Sequence, residues 1–171
     1  MTQGATNKIL GVVMDPISGI NPNKDTTLAL LLAAQRRGWK LMYMEQSHLA
    51  LASGDPIARM APLQVRDNKT NWFTLEEPKL QPLSNLDVLL MRKDPPFDSE
   101  YIYSTYILEA AEKQGVLVAN KPQSLRDCNE KVFATLFPQC SPPLLVSREA
   151  LQLKSFHKTH GDIVLKPLDG M

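Results

Sequence analysis

The sequence predicts a doubly wound α/β domain with a mostly parallel sheet over about residues 1–122. The start of a separate α+β unit follows over 123–171. Three observations carry this. Short apolar runs at Ile9–Met14, Leu41–Met44, Asp87–Met91 and Val116–Val118 read as strands buried on both faces. Helical stretches with apolar residues three and four apart separate them. After Lys121-Pro122 the alternation stops and the segments shorten.

The first strand ends at Asp15-Pro16, and a loop holding Gly19, Asn21, Pro22 and Asn23 follows. Asp25 or Thr26 is placed to cap a helix whose apolar face is Leu28, Leu31 and Leu32, running to Gln35. Arg36, Arg37 and Gly38 suit its C-terminus. Strand 41–44 completes a strand–helix–strand unit, for which a right-handed crossover is expected. Residues 47–84 read as an excursion of short antiparallel strands and loops, with arms at Ile57–Val65 and Trp72–Leu75. Turns are placed at Gly54-Asp55-Pro56 and Asp67-Asn68. Pro56, Pro62, Pro78 and Pro82 argue against central strands there. Strand 87–91 leads into a helix over about Ser99–Gln114, with Tyr103, Tyr106, Ile107, Ala110 and Ala111 on one face and Gly115 as terminator.

In the second unit a short helical turn is expected at Ser124–Cys128 and a helix at Asn129–Phe137, stopped by Pro138. Pro142–Val146 reads as a strand, Ser147 as the cap of a helix bearing Ala150, Leu153 and Phe156, and Ile163–Lys166 as a further strand.

At 171 residues, 43% hydrophobic and 22% charged, the composition is that of a soluble globular chain. A net charge of +1 and the absence of a basic stripe argue against nucleic acid. No apolar run approaches a membrane span, and the polar N-terminus does not read as a signal peptide, so a cytoplasmic location is expected. Cys128 and Cys140 form no C-x-x-C pair and read as reduced thiols. His157 and His160 lie one turn apart without acidic or thiolate neighbours, so no metal site is expected from this chain's own residues. No nucleophile elbow, zinc-protease motif or glycine-rich phosphate loop is present.

Two constellations remain. Asp15 and the run Arg92-Lys93-Asp94 stand at strand ends, where ligands collect in open parallel sheets. Arg92 can clamp a carboxylate, Lys93 adds a point charge, and Asp15 or Asp94 can receive an ammonium. An Arg92–Asp94 pair that only shapes a loop is the competing reading. Lys131 and Lys166 form the second, as two cations that would face one cleft and hold phosphate oxygens. Each taken singly reads more often as a solvated surface lysine. The closing Lys166-Pro167-Leu168-Asp169-Gly170-Met171 places a cation at an expected strand end beside a turn.

Several runs together resemble one family, the prokaryotic glutathione synthetases of the ATP-grasp superfamily. They are Gly11–Ile17, Ala34–Gly38, Leu90–Asp98, Tyr106–Glu109, Asn120–Lys131 and Leu165–Met171. The resemblance implies a pre-ATP-grasp domain followed by the beginning of an ATP-grasp domain. It implies a ligase that uses ATP and Mg²⁺ to join γ-glutamylcysteine to glycine through an acyl phosphate. Lys131 and Lys166 match the family's two phosphate-binding lysines. Catalytic groups and Mg²⁺ ligands are expected beyond Met171, so this segment is expected to be inactive alone and to belong to a homo-oligomer when complete. Another ATP-grasp carboxylate–amine ligase, and a non-catalytic α/β interaction module, are the alternatives.

Overall fold

The computed structural model describes residues 7–94 and 96–168. Pro95 of the Arg92–Asp98 run and the final Asp169-Gly170-Met171 lie outside the described residues. The strands are β1 (Ile9–Val13), β2 (Lys40–Met44), β3 (Leu49–Ala52), β4 (Asp55–Val65), β5 (Phe73–Leu75), β6 (Lys79–Pro82), β7 (Val88–Met91) and β8 (Leu117–Ala119). The helices are α1 (Thr26–Arg36), α2 (Ser99–Lys113), α3 (Pro122–Asp127), α4 (Glu130–Phe133) and α5 (Ala150–His160). None of these helices is long and apolar enough to cross a membrane.

The sheet runs β3-β4-β2-β1-β7-β8, with β5 and β6 also paired to β4. Its centre, β2-β1-β7-β8, is parallel throughout. Strand alternation sends Leu10 and Val12 of β1 to one face, with Leu41 and Tyr43 of β2, against Leu28, Leu31 and Ala34 of α1. Val13, Met44, Leu89 and Met91 go to the other face, against Leu108 and Ala111 of α2. The chain winds one way from β1 through α1 and the other way from β7 through α2. The reversal therefore lies between β1 and β7, as a doubly wound sheet requires.

Local chemistry explains the helix ends. The Asp25 carboxylate accepts from the Leu28 N–H at 2.6 Å, and Asp98 caps α2 by accepting from Tyr101 N–H at 2.8 Å. Gly115, at φ +96°, reverses the chain after α2 in a conformation other residues rarely adopt. Gly11 is required for a different reason. A Cβ there would stand 2.5 Å from Leu86 Cδ1, 3.0 Å from Leu89 Cδ1 and 3.1 Å from Met44 Cε. Gly11→Ala meets only the tips of flexible side chains. Gly11→Val adds two more carbons and is expected to cost about 1–3 kcal/mol, read as a lower urea midpoint.

Five expectations need correction. The excursion is built on an 11-residue strand, β4, joined to the main sheet: Leu41, Met42 and Tyr43 of β2 face Leu63, Pro62 and Ala61. Pro62 is tolerated because its backbone points away from β2; its carbonyl accepts from Glu76 N–H at 3.0 Å just beyond β5. The buried face of α2 is Ser104, Thr105, Leu108 and Ala111, while Tyr103 and Tyr106 are exposed. The expected helix 129–137 is a single α turn, α4, continued by a 3₁₀ turn at Ala134–Leu136. Pro142–Val146 and Ile163–Lys166 are not strands. Val164 is 80% exposed and no described strand lies beside either run, so their backbone groups have no ladder to join. Finally, Glu149 rather than Ser147 is the cap residue of α5; the Ser147 hydroxyl accepts from Glu149 N–H and donates to Gln152.

Candidate active site

The first constellation assembles at the reversal point. Arg92 N–H donates to Val13 C=O at 2.7 Å, which carries the β1–β7 ladder one residue past the strand ends and sets the next side chains over the crevice. Asp15 Oδ1 pairs with Lys93 Nζ at 2.9 Å, and Oδ2 accepts from Asp94 N–H at 2.9 Å. Arg92 makes no ion pair with Asp94 among the described residues. Its Nε donates to Thr27 Oγ1 and one Nη to Thr26 Oγ1, both at 3.0 Å, at the first turn of α1. Two of five guanidinium donors are used, so the side chain is held in place and an outer edge remains available to a carboxylate. Below this crevice Tyr43 donates to Glu45 at 2.7 Å and accepts from Ile17 N–H. Burial, followed by the Glu45 hydrogen bond, pushes the phenol well above its ordinary range, so it stays a neutral donor.

The second constellation forms around Glu130. Asn129 Oδ1 accepts from the N–H groups of Lys131 and Val132, which starts α4, and its Nδ2 donates to Leu168 C=O at 3.3 Å. Lys131 Nζ donates to Glu130 Oε1 at 2.9 Å and to the same Leu168 carbonyl at 3.4 Å. Glu130 is held below the usual carboxylate range by its Lys131 hydrogen bond first, with the positive charge of Lys166 adding to it. Lys166 itself lies in an irregular, exposed segment.

One residue of each constellation, Lys93 and Lys131, lines a cavity of about 290 Å³, whereas Asp15, Arg92, Asp94 and Lys166 are not in its lining. Tyr101, Asn120, Leu125 and Leu168 line the same space. Phe97 and Tyr101, whose rings lie 5.3 Å apart, form an aromatic wall. Neither these aromatics nor Asn120 stand out by residue type in the sequence; their signal is their place beside or within the Leu90–Asp98 and Asn120–Lys131 runs. A larger cavity, about 520 Å³, lies by Trp39 and Lys40 at the opposite end of β2 and holds none of the candidate residues.

A doubly wound sheet with a charged cluster at its reversal point defines an α/β architecture of the kind in which ligands collect outside the strand ends. Residues 9–126 match the family model for the N-terminal domain of prokaryotic glutathione synthetase, and residues 130–171 match that for its ATP-grasp domain. The chain belongs to the prokaryotic glutathione synthetase family. It is 60% identical over 162 residues to the glutathione synthetase of Pseudomonas putida and equally to that of Yersinia pestis, covering 95% of this chain and 51% of each relative. Identity to the Pseudomonas syringae pv. tomato protein is 62% over the same length. The chain thus spans about half the length of the curated relatives it matches.

Proposed function

We propose that this chain supplies the peptide side, and the first part of the nucleotide side, of a ligase that joins γ-glutamylcysteine to glycine at the expense of ATP. The observation that carries the proposal is the shared cavity: one basic residue from the crevice unit, Lys93, and one from the nucleotide unit, Lys131, line the same space. A carboxylate and a phosphate must meet in such a space if the first is to be phosphorylated by the second. We place the unit boundary after residue 122, the first residue of α3.

In this reading the outer edge of Arg92 takes a carboxylate of the dipeptide, held from behind by Thr26 and Thr27. The Asp15–Lys93 pair and Asp94 order the ammonium and carboxylate ends. Lys131 and Lys166 neutralise phosphate oxygens as charge shifts toward ADP, which is electrostatic positioning rather than covalent catalysis. The acyl phosphate so formed is open to the glycine amine, which expels phosphate.

Mg²⁺ would screen the phosphates. Among the described residues no group of three or more His, Cys, Asp or Glu is arranged to hold a metal, so its protein ligands are proposed to lie in the half of the relatives that this chain does not span. The same reading makes the protein a cytoplasmic homo-oligomer, in keeping with two exposed free cysteines.

The test is ADP release by the protein carried to its relatives' full length. Release is expected to require γ-glutamylcysteine and glycine together. Folded protein that turns over a different acid–amine pair, or none, overturns the assignment.

A further inference from the structure

The Asn120–Lys131 run contains Arg126, to which the proposed reaction assigns no part. Arg126 leaves α3 on the side facing α2, and its side chain is only 16% exposed. Its Nη1 donates to Thr105 Oγ1 at 3.0 Å, and its Nη2 donates to and pairs with Glu109 Oε2. The guanidinium carbon also sits 4.5 Å from the centre of the Tyr106 ring. Thr105 is fully buried, and its hydroxyl donates in turn to Ile102 C=O. Glu109 is held below the usual carboxylate range, by Arg126 first and Lys113 after it.

The position of this clamp matters more than its strength. Tyr101, Thr105 and Glu109 are spaced four residues apart and so form one stripe along α2. Tyr101 is the cavity wall, and the next two members of the stripe grip Arg126. On the other side, Ser124, Leu125 and Cys128 of the α3 segment line the cavity, and the chain then runs through Asn129 into Lys131. One guanidinium therefore joins the two walls that bound the space.

Resting on the ligase reading above, we propose that Arg126 is a positioning residue: by tying α3 to the Tyr101–Thr105–Glu109 stripe, it sets the separation of Lys93 and Lys131 across the cavity. Without it, α3 samples spacings in which the phosphate and carboxylate sites are out of register. Saturating ligand restores the working spacing, at a cost in apparent affinity.

The experiment uses the full-length protein with Arg126→Met, Arg126→Lys, Glu109→Gln and the double variant Arg126→Met/Glu109→Gln. Asp87→Asn, in the Lys8–Asp87 surface pair at the other end of β7, is the control. Arg126→Met is expected to raise KM for ATP on the order of tenfold, as when about a tenth of molecules hold the competent spacing, with kcat changed less than about threefold. Arg126→Lys should recover part of the loss, and the double variant should be no worse than Arg126→Met alone. The Kd for ATP, measured by calorimetry on the same proteins, should move with KM, while Asp87→Asn moves neither.

Wild-type KM and Kd in folded Arg126→Met would overturn the positioning role. So would a loss that appears equally in Asp87→Asn or that follows thermal unfolding. If wild-type protein shows no ligase turnover, the ligase reading fails, and the calorimetric comparison still decides the clamp.

Discussion

Leu108→Ala is expected to lower unfolding free energy by about 2–5 kcal/mol, among the largest effects any single truncation here would produce. Leu108 is fully buried on α2, in the face of the sheet shared with Val13, Met44, Leu89 and Met91. Removing its three terminal carbons forfeits their transfer from water and leaves a void that close-packed neighbours fill only in part. Rigid β-strands on one side limit that relaxation, which favours the upper half of the range. Urea unfolding followed by circular dichroism checks it: the midpoint should fall with the slope unchanged. A loss under 1 kcal/mol would mean that α2 is not packed on the sheet as described. Since α2 also carries Tyr101, Thr105 and Glu109, a surviving folded fraction should bind nucleotide more weakly as well.

Lys131→Met and Lys166→Met in the full-length protein are each expected to weaken nucleotide use by about 1.5–3 kcal/mol, roughly ten- to 150-fold in kcat/KM for ATP. Methionine keeps much of the stem and removes the ammonium, so the measured loss is chiefly that of charge. The two sites differ in what is left behind. Removing the Lys131 ammonium exposes the phosphates to Glu130, its 2.9 Å partner, whose negative charge then opposes them. Lys131→Met should therefore be the more damaging change, and Glu130→Gln should return part of the activity in the Lys131→Met background. Steady-state kinetics at varied ATP, with unfolding midpoints measured alongside, separates these effects from loss of structure. Unchanged kcat/KM in either lysine variant would remove that residue from the phosphate site.

Much of the fold was legible because its parallel strands are buried on both faces and therefore read as unbroken apolar runs bounded by Asp, Asn, Gly or Pro. β1, β2, β7 and Asp25, one of two candidate caps, were visible on those grounds. β4 was not recognised as a sheet member, because its prolines matter only relative to the partner each backbone group faces. Pro62 turns its ring nitrogen toward the open end of β5, a fact absent from local sequence. The face of α2 was assigned only in part: Ile107 and Ala111 do pack inward, but tyrosines look apolar in a periodicity count, while the inner face also contains Ser104 and Thr105, whose hydroxyls bond back to helix carbonyls. The two strands expected after residue 140 had suitable β-prone residues but no strand beside them among the described residues.

The site shows the same division. Asp15, Arg92 and Lys93 were identifiable as charges at strand ends, and their convergence is a property of the reversal in strand order. Lys131 and Lys166 could be proposed as a pair, whereas the Glu130 partner of Lys131 could not be inferred from spacing.

The β1–β7 register joins Gly11 to Leu89, whereas β2 and β3 through β6 all close within residues 40–82. Emerging from a ribosome, the antiparallel lobe can assemble from neighbours in the chain, while the ligand crevice waits for a contact that closes a far longer loop. Kinetic refolding should accordingly show protection of amides in β4 before those of β1, and competence to bind small molecules should arrive with the later phase.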